Sequence, residues 1–347
     1  MLTLPMLDKN VNNSPHVVLL GAGASLASFK EGDANKKLLP LMNNLIDVLG
    51  LNKFLRENGI KYEGRNFEGL YNELSLKKNK YKSVIEIIDE KIFEYFSKLK
   101  IPEKPTIYDY LILSLREKDV IATFNWDPLL LQAYVRNNIT KNLPKLAFLH
   151  GNVGMGVCTE DKILGHIWNR CSKCKKQLNP TKLLYPIKKK NYSINSIVKD
   201  QWDLLKNHLK YAYMFTIFGY SAPSTDVDAK ELMLNVWKEN KSLKLAEVEI
   251  IDIKPTIELE KTWDSFTFSH HYQIQNSFFD SYLAKFPRRS CDAFAAQTLI
   301  CKPWYENNYP KFDNIKELHN WLKPLLDDEE EYKKSKTPFK YKTESFF

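Results

Sequence analysis

A chain of 347 residues with 44% hydrophobic content can bury a full core, with room for one large α/β domain and a smaller module. Met1 to Pro15 is mixed and polar and no later apolar run approaches the length of a membrane helix, so neither a secretory leader nor a membrane partner is expected; five cysteines fit a reducing compartment, and the expected location is cytoplasmic. The formal charge of +9 is spread over 51 basic and 42 acidic residues, which speaks to solubility and steering and leaves nucleic acid as an indirect partner at most, met through clusters such as Lys188-Lys189-Lys190.

The first strong pattern is Val17-Val18-Leu19-Leu20 running into Gly21-Ala22-Gly23-Ala24-Ser25. The apolar run has no helical period and is short, so it reads as a strand buried on both faces. Gly21 and Gly23 allow a tight turn and the close approach of a ligand, and the helix that follows aims its first N–H groups at an anion. The arrangement suits a dinucleotide pyrophosphate, and it equally suits a plain tight turn, since the third glycine of the Rossmann fingerprint is absent. Leu26 to Asn35, with Gly32 and Asp33, reads as a mobile loop over the ligand. A helical insertion follows over about residues 36–105, with apolar residues at helix spacing (Leu38, Leu41, Leu45, then Val84, Ile88, Ile92) until Pro102 and Pro105 break it.

Thr106 to Arg116 is a further helix feeding the strand Asp119 to Thr123, which ends in Phe124-Asn125-Trp126-Asp127-Pro128. Polar groups at the carboxyl end of a strand lie where open α/β sheets bind ligands. Asp127 has a rival role as the cap of the helix beginning near Pro128. The strand Lys145 to Leu149 ends in His150-Gly151 at the same edge. Beyond it, Cys158, His166 and Cys171-Ser172-Lys173-Cys174 lie in a stretch poor in core residues, where a Cys-x-x-Cys pair in a reducing compartment reads as a metal or redox element. Asp200 to Tyr211 and Asp226 to Glu239 read as helices, Met214 to Phe218 and Leu245 to Ile253 as strands, which completes a parallel sheet. Ser221, just past a strand, suits a ribose or phosphate oxygen; Asp252 suits ribose hydroxyls; Asp226 and Asp228 most simply open their helix. In the remainder, Phe266 to Gln275 reads as an added strand, Phe278 to Leu299 as largely helical with Arg288-Arg289 exposed in a turn, and the acidic run from Asp327 as a solvated helix end followed by disorder.

Taken together, Gly21-Ala22-Gly23-Ala24-Ser25, Thr123-Phe124-Asn125-Trp126-Asp127 and Leu149-His150-Gly151 resemble, in order and role, the Gly-Ala-Gly, Thr-Gln-Asn-x-Asp and His-Gly motifs of the SIR2 (sirtuin) family. Phe218-Gly219-Tyr220-Ser221 is similar to the family's Gly-Thr-Ser segment, and Ile250 to Pro255 ends a strand where the family holds the adenosine half of its cofactor. The resemblance spans roughly residues 15–255. It implies a Rossmann-like parallel sheet of sirtuin type: residues 1–150 as its first part with the helical insertion, 151–199 as a small module, 200–256 as the second part and 257–347 as a C-terminal extension. The family's Gly-Ile-Pro-Asp-Phe-Arg loop is missing after Ser25, and the long insertion is unlike a compact deacylase; both features look more like the SIR2-like NADase domains of bacterial anti-phage systems.

The resemblance further implies NAD as substrate, bound by Gly21, Ala22, Gly23, Ala24, Ser25, Thr123, Gly219, Ser221 and Asp252, with His150 as general base, Asn125 orienting the ribose and a water, and Asp127 holding the nicotinamide side. It implies zinc in the small module, held by Cys158, His166, Cys171 and Cys174. The family's second Cys-x-x-Cys is absent, and a knuckle held only by the packing of Trp168, Leu178 and Leu183 is the competing account. The implied activity is NAD hydrolysis to nicotinamide and ADP-ribose by a regulated, NAD-depleting defence effector, acting as a homo-oligomer or with a partner defence protein. NAD-dependent protein deacylation and NAD or ADP-ribose sensing without chemistry are the alternatives.

Overall fold

A computed structural model describes residues 13–139, 142–187, 196–240, 245–267 and 271–335. Lys188-Lys189-Lys190 and the final twelve residues lie outside them. The Val17–Leu20 run is completely buried and forms β1 (His16–Leu20). It leads through Gly21 into α1 (Ala22–Ser28). The insertion then folds as α2 (Leu45–Val48), α3 (Asn52–Glu57), α4 (Phe67–Leu76) and α5 (Lys78–Ser97), the last burying Val84, Ile85, Ile88, Ile92 and Phe96 along one face. Pro105 precedes α6 (Ile107–Leu113), which opens on a capping box in which Thr106 and Asp109 satisfy each other's backbone N–H groups. Next come β2 (Val120–Thr123), α7 (Leu129–Arg136), β3 (Lys145–Phe148), the small module of β4 (Met155–Cys158), β5 (Ile163–His166) and β6 (Asn179–Pro180), and α8 (Ser196–Leu209). The chain returns through β7 (Met214–Phe218), α9 (Val227–Lys238), β8 (Glu247–Ile251), α10 (Thr256–Thr267) and β9 (His271–Gln275), and ends in α11 (Tyr282–Lys285), α12 (Ser290–Ile300) and α13 (Ile315–Ser335).

The main sheet has the order β3-β2-β1-β7-β8-β9, with every pairing parallel, while β5-β4-β6 form a separate antiparallel sheet. Alternation along the strands sends successive side chains to opposite faces. Val18, Leu20, Ile121, Phe148 and Phe218 pack with the insertion helices and α13. Val17, Leu19, Val120, Phe215, Ile217 and Val248 pack with α8, α9 and α10 around Trp202, Trp237 and Trp263. The result is a helix–sheet–helix sandwich that hides both faces of the parallel sheet at β2, β1, β7 and β8, while the edge strand β9 keeps His271 and Tyr272 exposed. The first three strands build outward from β1 on one side and β7 starts the other side, so the order reverses between β1 and β7. A crevice opens at the strands' carboxyl ends at such a point.

Four expectations change. Leu26 to Ser28 completes α1, and the turn after it is fastened: the buried Asp33 carboxylate accepts from the backbone N–H groups of Asn35, Lys37 and Lys100 at 2.8–2.9 Å. Phe266 belongs to α10, where Leu259, Trp263 and Phe266 share the buried face; among the described residues of that stretch His271–Gln275 is strand, and it joins the main sheet. Arg288 and Arg289 are not exposed but 1% and 3% accessible, because the acidic run meets them: Arg288 clasps Glu329 through Nε and Nη2 (2.6 and 2.7 Å), and Arg289 bonds Glu329 and Asp328 (2.7 and 3.0 Å). Asp328 and Glu329 are therefore buried within α13 rather than solvated. Two charge runs that each read as solvent-facing neutralise one another across 40 residues of sequence.

Candidate functional site

The residues singled out at strand ends lie along one edge of the main sheet. His150 follows β3, Asn125 and Asp127 follow β2, Gly21 to Ser25 follow β1, Gly219 to Ser221 follow β7 and Asp252 follows β8. With neighbouring strands about 4.8 Å apart, this row from β3 to β8 covers roughly 19 Å.

The turns after β1 and β7 are locked together at the crevice. Gly21 N–H donates to Phe218 O (3.0 Å) and Gly23 N–H to Gly219 O (2.9 Å). Gly219 has φ +61°, and a Cβ there would come within 2.2 Å of Ala24 N; one on Gly23 would lie 2.8 Å from Gly219 Cα. The glycines thus serve first to let two backbones touch, which answers for much of their presence without a ligand.

Beside them is a buried polar cluster made from α1, α6 and the loop after β2. Ser25 Oγ donates to Asp127 Oδ2 (2.7 Å) and lies 2.6 Å from Tyr108 Oη. Asn125 Nδ2 donates to Gly21 O and Ser25 Oγ, both at 2.9 Å, which fixes the plane of the amide, and Asn125 N–H donates to Thr123 Oγ1 (3.0 Å). Asp127 also accepts from Leu129 N–H through Oδ1 (3.1 Å), so the capping role and the site role are held at once by its two oxygens. Burial pushes the Asp127 carboxyl above the ordinary carboxylate range, and the Ser25 hydroxyl and Leu129 N–H only partly offset it. Asn152 closes the cluster from behind, donating to Asp127 O (2.5 Å).

His150 is buried one strand away, its ring edge-on to Phe124 with centroids 4.6 Å apart. Its Nε2 faces Asp226 Oδ1 at 3.9 Å, and Asp226 Oδ2 accepts from Tyr220 Oη at 3.1 Å. Tyr220 in turn stacks on Phe124 at 4.4 Å. Ser221 is exposed, while Asp252 is half-buried and accepts from Lys254 N–H (3.0 Å). Tyr108 and Asp226 carry no motif that marks them, and Tyr220 is marked only as part of the Gly219-Tyr220-Ser221 turn. Tyr108 reads as one more apolar position of α6, and Asp226 as a helix-opening acid; yet Asp226 makes no side-chain cap bond and faces His150 instead.

The small module brings together Cys158, Asp161, Cys171 and Cys174, whose ligand atoms all lie within 4.8 Å of one another. Cys158 Sγ is 3.5 Å from Cys174 Sγ, and Asp161 Oδ2 is 3.0 Å from Cys171 Sγ. Three thiols and one carboxylate at these separations fit a tetrahedral zinc ion, for which Zn–S bonds of about 2.3 Å imply S···S separations near 3.8 Å. His166 is not in the cluster. In the β4–β5 hairpin Cys158 pairs with Ile163 but His166 pairs with Met155, so the imidazole stands at the far end, three residues or roughly 10 Å along the strand. Asp161, in the hairpin turn beside Cys158, takes the fourth place; a carboxylate in a turn gives no spacing signal in the sequence.

No protein-family model matches the chain, and no curated protein matches it in sequence. Among solved structures it is similar to a Sir2 homologue in complex with NAD, at 14% identity and a TM-score of 0.42, covering 87% of this chain and 95% of that one. It is also similar to Sir2 bound to the inhibitor EX-527, 2'-O-acetyl-ADP-ribose and a deacetylated p53 peptide, at 15% identity and a TM-score of 0.38, covering 84% and 96%. At that level of likeness the functional reading rests on the chain's own residues.

Proposed function

We propose that the protein is a SIR2-like enzyme that hydrolyses NAD to nicotinamide and ADP-ribose. The observation that carries this reading is the hydrogen-bonded set Ser25–Asn125–Asp127, which joins the loops after β1 and β2 across 100 residues, with His150 at the next strand end. Packing alone has little need of a serine, an amide, a carboxylate and an imidazole at one sheet edge beside the switch point.

Cleaving the nicotinamide–ribose bond leaves an oxocarbenium-like ribose to be trapped by water, with a proton released to solvent. The pyrophosphate and adenosine lie along the β1–β7–β8 edge and supply orientation, which lowers the barrier only if the reacting ribose is held beside the polar cluster. His150 takes a proton from a ribose hydroxyl; the Asp226 carboxylate opposite Nε2 steadies the imidazolium, and Phe124 fixes the ring. Asn125, its amide plane fixed, orients ribose and water. Asp127, kept in a dry pocket, faces the nicotinamide side. Zinc on Cys158, Asp161, Cys171 and Cys174 would hold the small module together and supply folding free energy, on the order of 10 kcal/mol for structural sites. The activity is that of an NAD-depleting effector in anti-phage defence, held in check by a partner or by assembly, since unchecked turnover would drain the host.

The test is NAD turnover by the purified chain with nicotinamide and ADP-ribose quantified, beside His150→Ala and a tube containing an acetylated peptide. Peptide-independent ADP-ribose that falls about a hundred- to ten-thousandfold in His150→Ala is expected. Turnover that requires the peptide and yields acetylated ADP-ribose would make the enzyme a deacylase, and tight NAD binding with no product under any assembly condition would leave a sensor.

A further inference from the structure

A further concave feature borders Pro128, next to the Asn125–Asp127 segment, between the helical insertion and the small module. It is a cavity of about 530 Å³, within the range of small-ligand sites. One wall carries Lys37, Lys98 and Lys100 with Phe93; the other carries His166 and Trp168. Among the described residues no carboxylate lines it; the acid paired with Lys98, Glu94, lies one turn back on the exposed face of α5. Trp168 is 76% accessible, the largest side chain among the exposed apolar residues described.

The walls are built rather than incidental. Asp33 is 2% accessible and ties Lys37 and Lys100 to one rim by accepting from both of their N–H groups. Gln132 fixes the adjoining chain from below, accepting from Ile101 N–H (2.7 Å) and donating to Leu99 O (2.9 Å). On the opposite side Ile167 N–H donates to Gly154 O (2.8 Å), which anchors the backbone just before Trp168. Ammonium groups on one wall and an uncovered indole on the other match a ligand that carries phosphate at one end and a flat ring at the other.

We propose that this cavity binds a nucleotide, with its phosphates on Lys37, Lys98 and Lys100 and its base stacked on Trp168. The floor gives the binding a consequence. Val153 N–H donates to Trp126 O (3.0 Å), and Asn152 joins Gly154 N–H to Asp127 O, so a ligand resting on Val153 and Gly154 bears on the segment that holds Asn125 and Asp127.

Equilibrium dialysis of the full chain with labelled ATP tests this without reference to NAD turnover, so the result stands apart from the catalytic reading. AMP, adenosine and inorganic pyrophosphate serve as competitors, and Trp168→Ala, the double variant Lys98→Glu/Lys100→Glu and the strand-end variant Asn125→Ala are compared, each verified as folded by circular dichroism. ATP is expected to bind saturably below about 1 mM. Affinity is expected to fall at least about tenfold in Trp168→Ala and in the lysine double variant while Asn125→Ala retains it, and AMP should compete better than adenosine or pyrophosphate. Absence of saturable binding, equal affinity in all variants, or loss only in Asn125→Ala would overturn the assignment.

Discussion

The strand-end loops and the C-terminal helices each bury a carboxylate, and they keep it by opposite means. Asp127 is met by the Ser25 hydroxyl and the Leu129 N–H, and burial carries its carboxyl above the ordinary range. Burial would do the same to Glu329, but the guanidinium groups of Arg288 and Arg289 overcome it and pull that carboxyl down to about 2. One region is a charge network that staples α13 to the turn before α12. The other holds an acid that burial would rather protonate, partly offset by the Ser25 hydroxyl and the Leu129 N–H.

Removing one partner from the C-terminal network should have the largest effect on stability. Glu329→Ala strands the buried Arg288 guanidinium and leaves Arg289 with Asp328 as its carboxylate partner, and should cost about 3–5 kcal/mol in chemical denaturation; a loss below about 1 kcal/mol would mean that water reaches the arginines.

The pH profile sharpens the contrast and brings in a third buried acid. Glu329 has its folded value below its ordinary 4.5, so its contribution is complete above 4.5 and is lost as pH falls toward 2. Glu249, buried in β8 and hydrogen-bonded to Thr216 and the Tyr282 N–H, is raised by that burial to about 7; its contribution is complete below 4.5 and is lost as pH rises to 7. Each arm is worth roughly 3 kcal/mol. Thermal melting across pH should show the acid arm shrink in Glu329→Gln and the neutral arm shrink in Glu249→Gln, the remainder coming from other buried groups such as His16 on the acid side and Glu247 on the neutral side.

Gly219→Ala probes the crevice itself. The left-handed backbone and the clash with Ala24 N should cost at least about 1–3 kcal/mol and separate the turns after β1 and β7. An Ala variant of unchanged stability would show that these turns yield easily to a ligand. The smallest stability effect is expected at Asp127→Asn, which removes a charge that burial disfavours; its stability should stay within about 1 kcal/mol while NAD turnover is lost. A large destabilisation there would move Asp127 into the structural class of Glu329.

Much of this was legible in the sequence because it is local. Val17 to Leu20 is apolar without a helical period, and its Gly-rich end demands a turn, so β1 and its position in a buried sheet follow from the chain alone. The same holds for Asn125, Asp127 and His150 as strand-end residues, because the position of a polar group relative to a strand is a property of neighbours in sequence.

Only the tertiary structure decided which distant charges meet. Arg288-Arg289 and Asp328-Glu329 each read as solvated, since a run of charge is costly to bury unless its partner arrives, and that partner is 40 residues away. His166 has the right chemistry for zinc, but hairpin register carries it to the wrong end, while Asp161 is delivered by a turn. Tyr108 and Asp226 join the site because α6 and the segment before α9 pack over the sheet edge. Periodicity and turn chemistry fix the elements; pairings across loops depend on how helices pack and strands register, and no residue's own pattern encodes them.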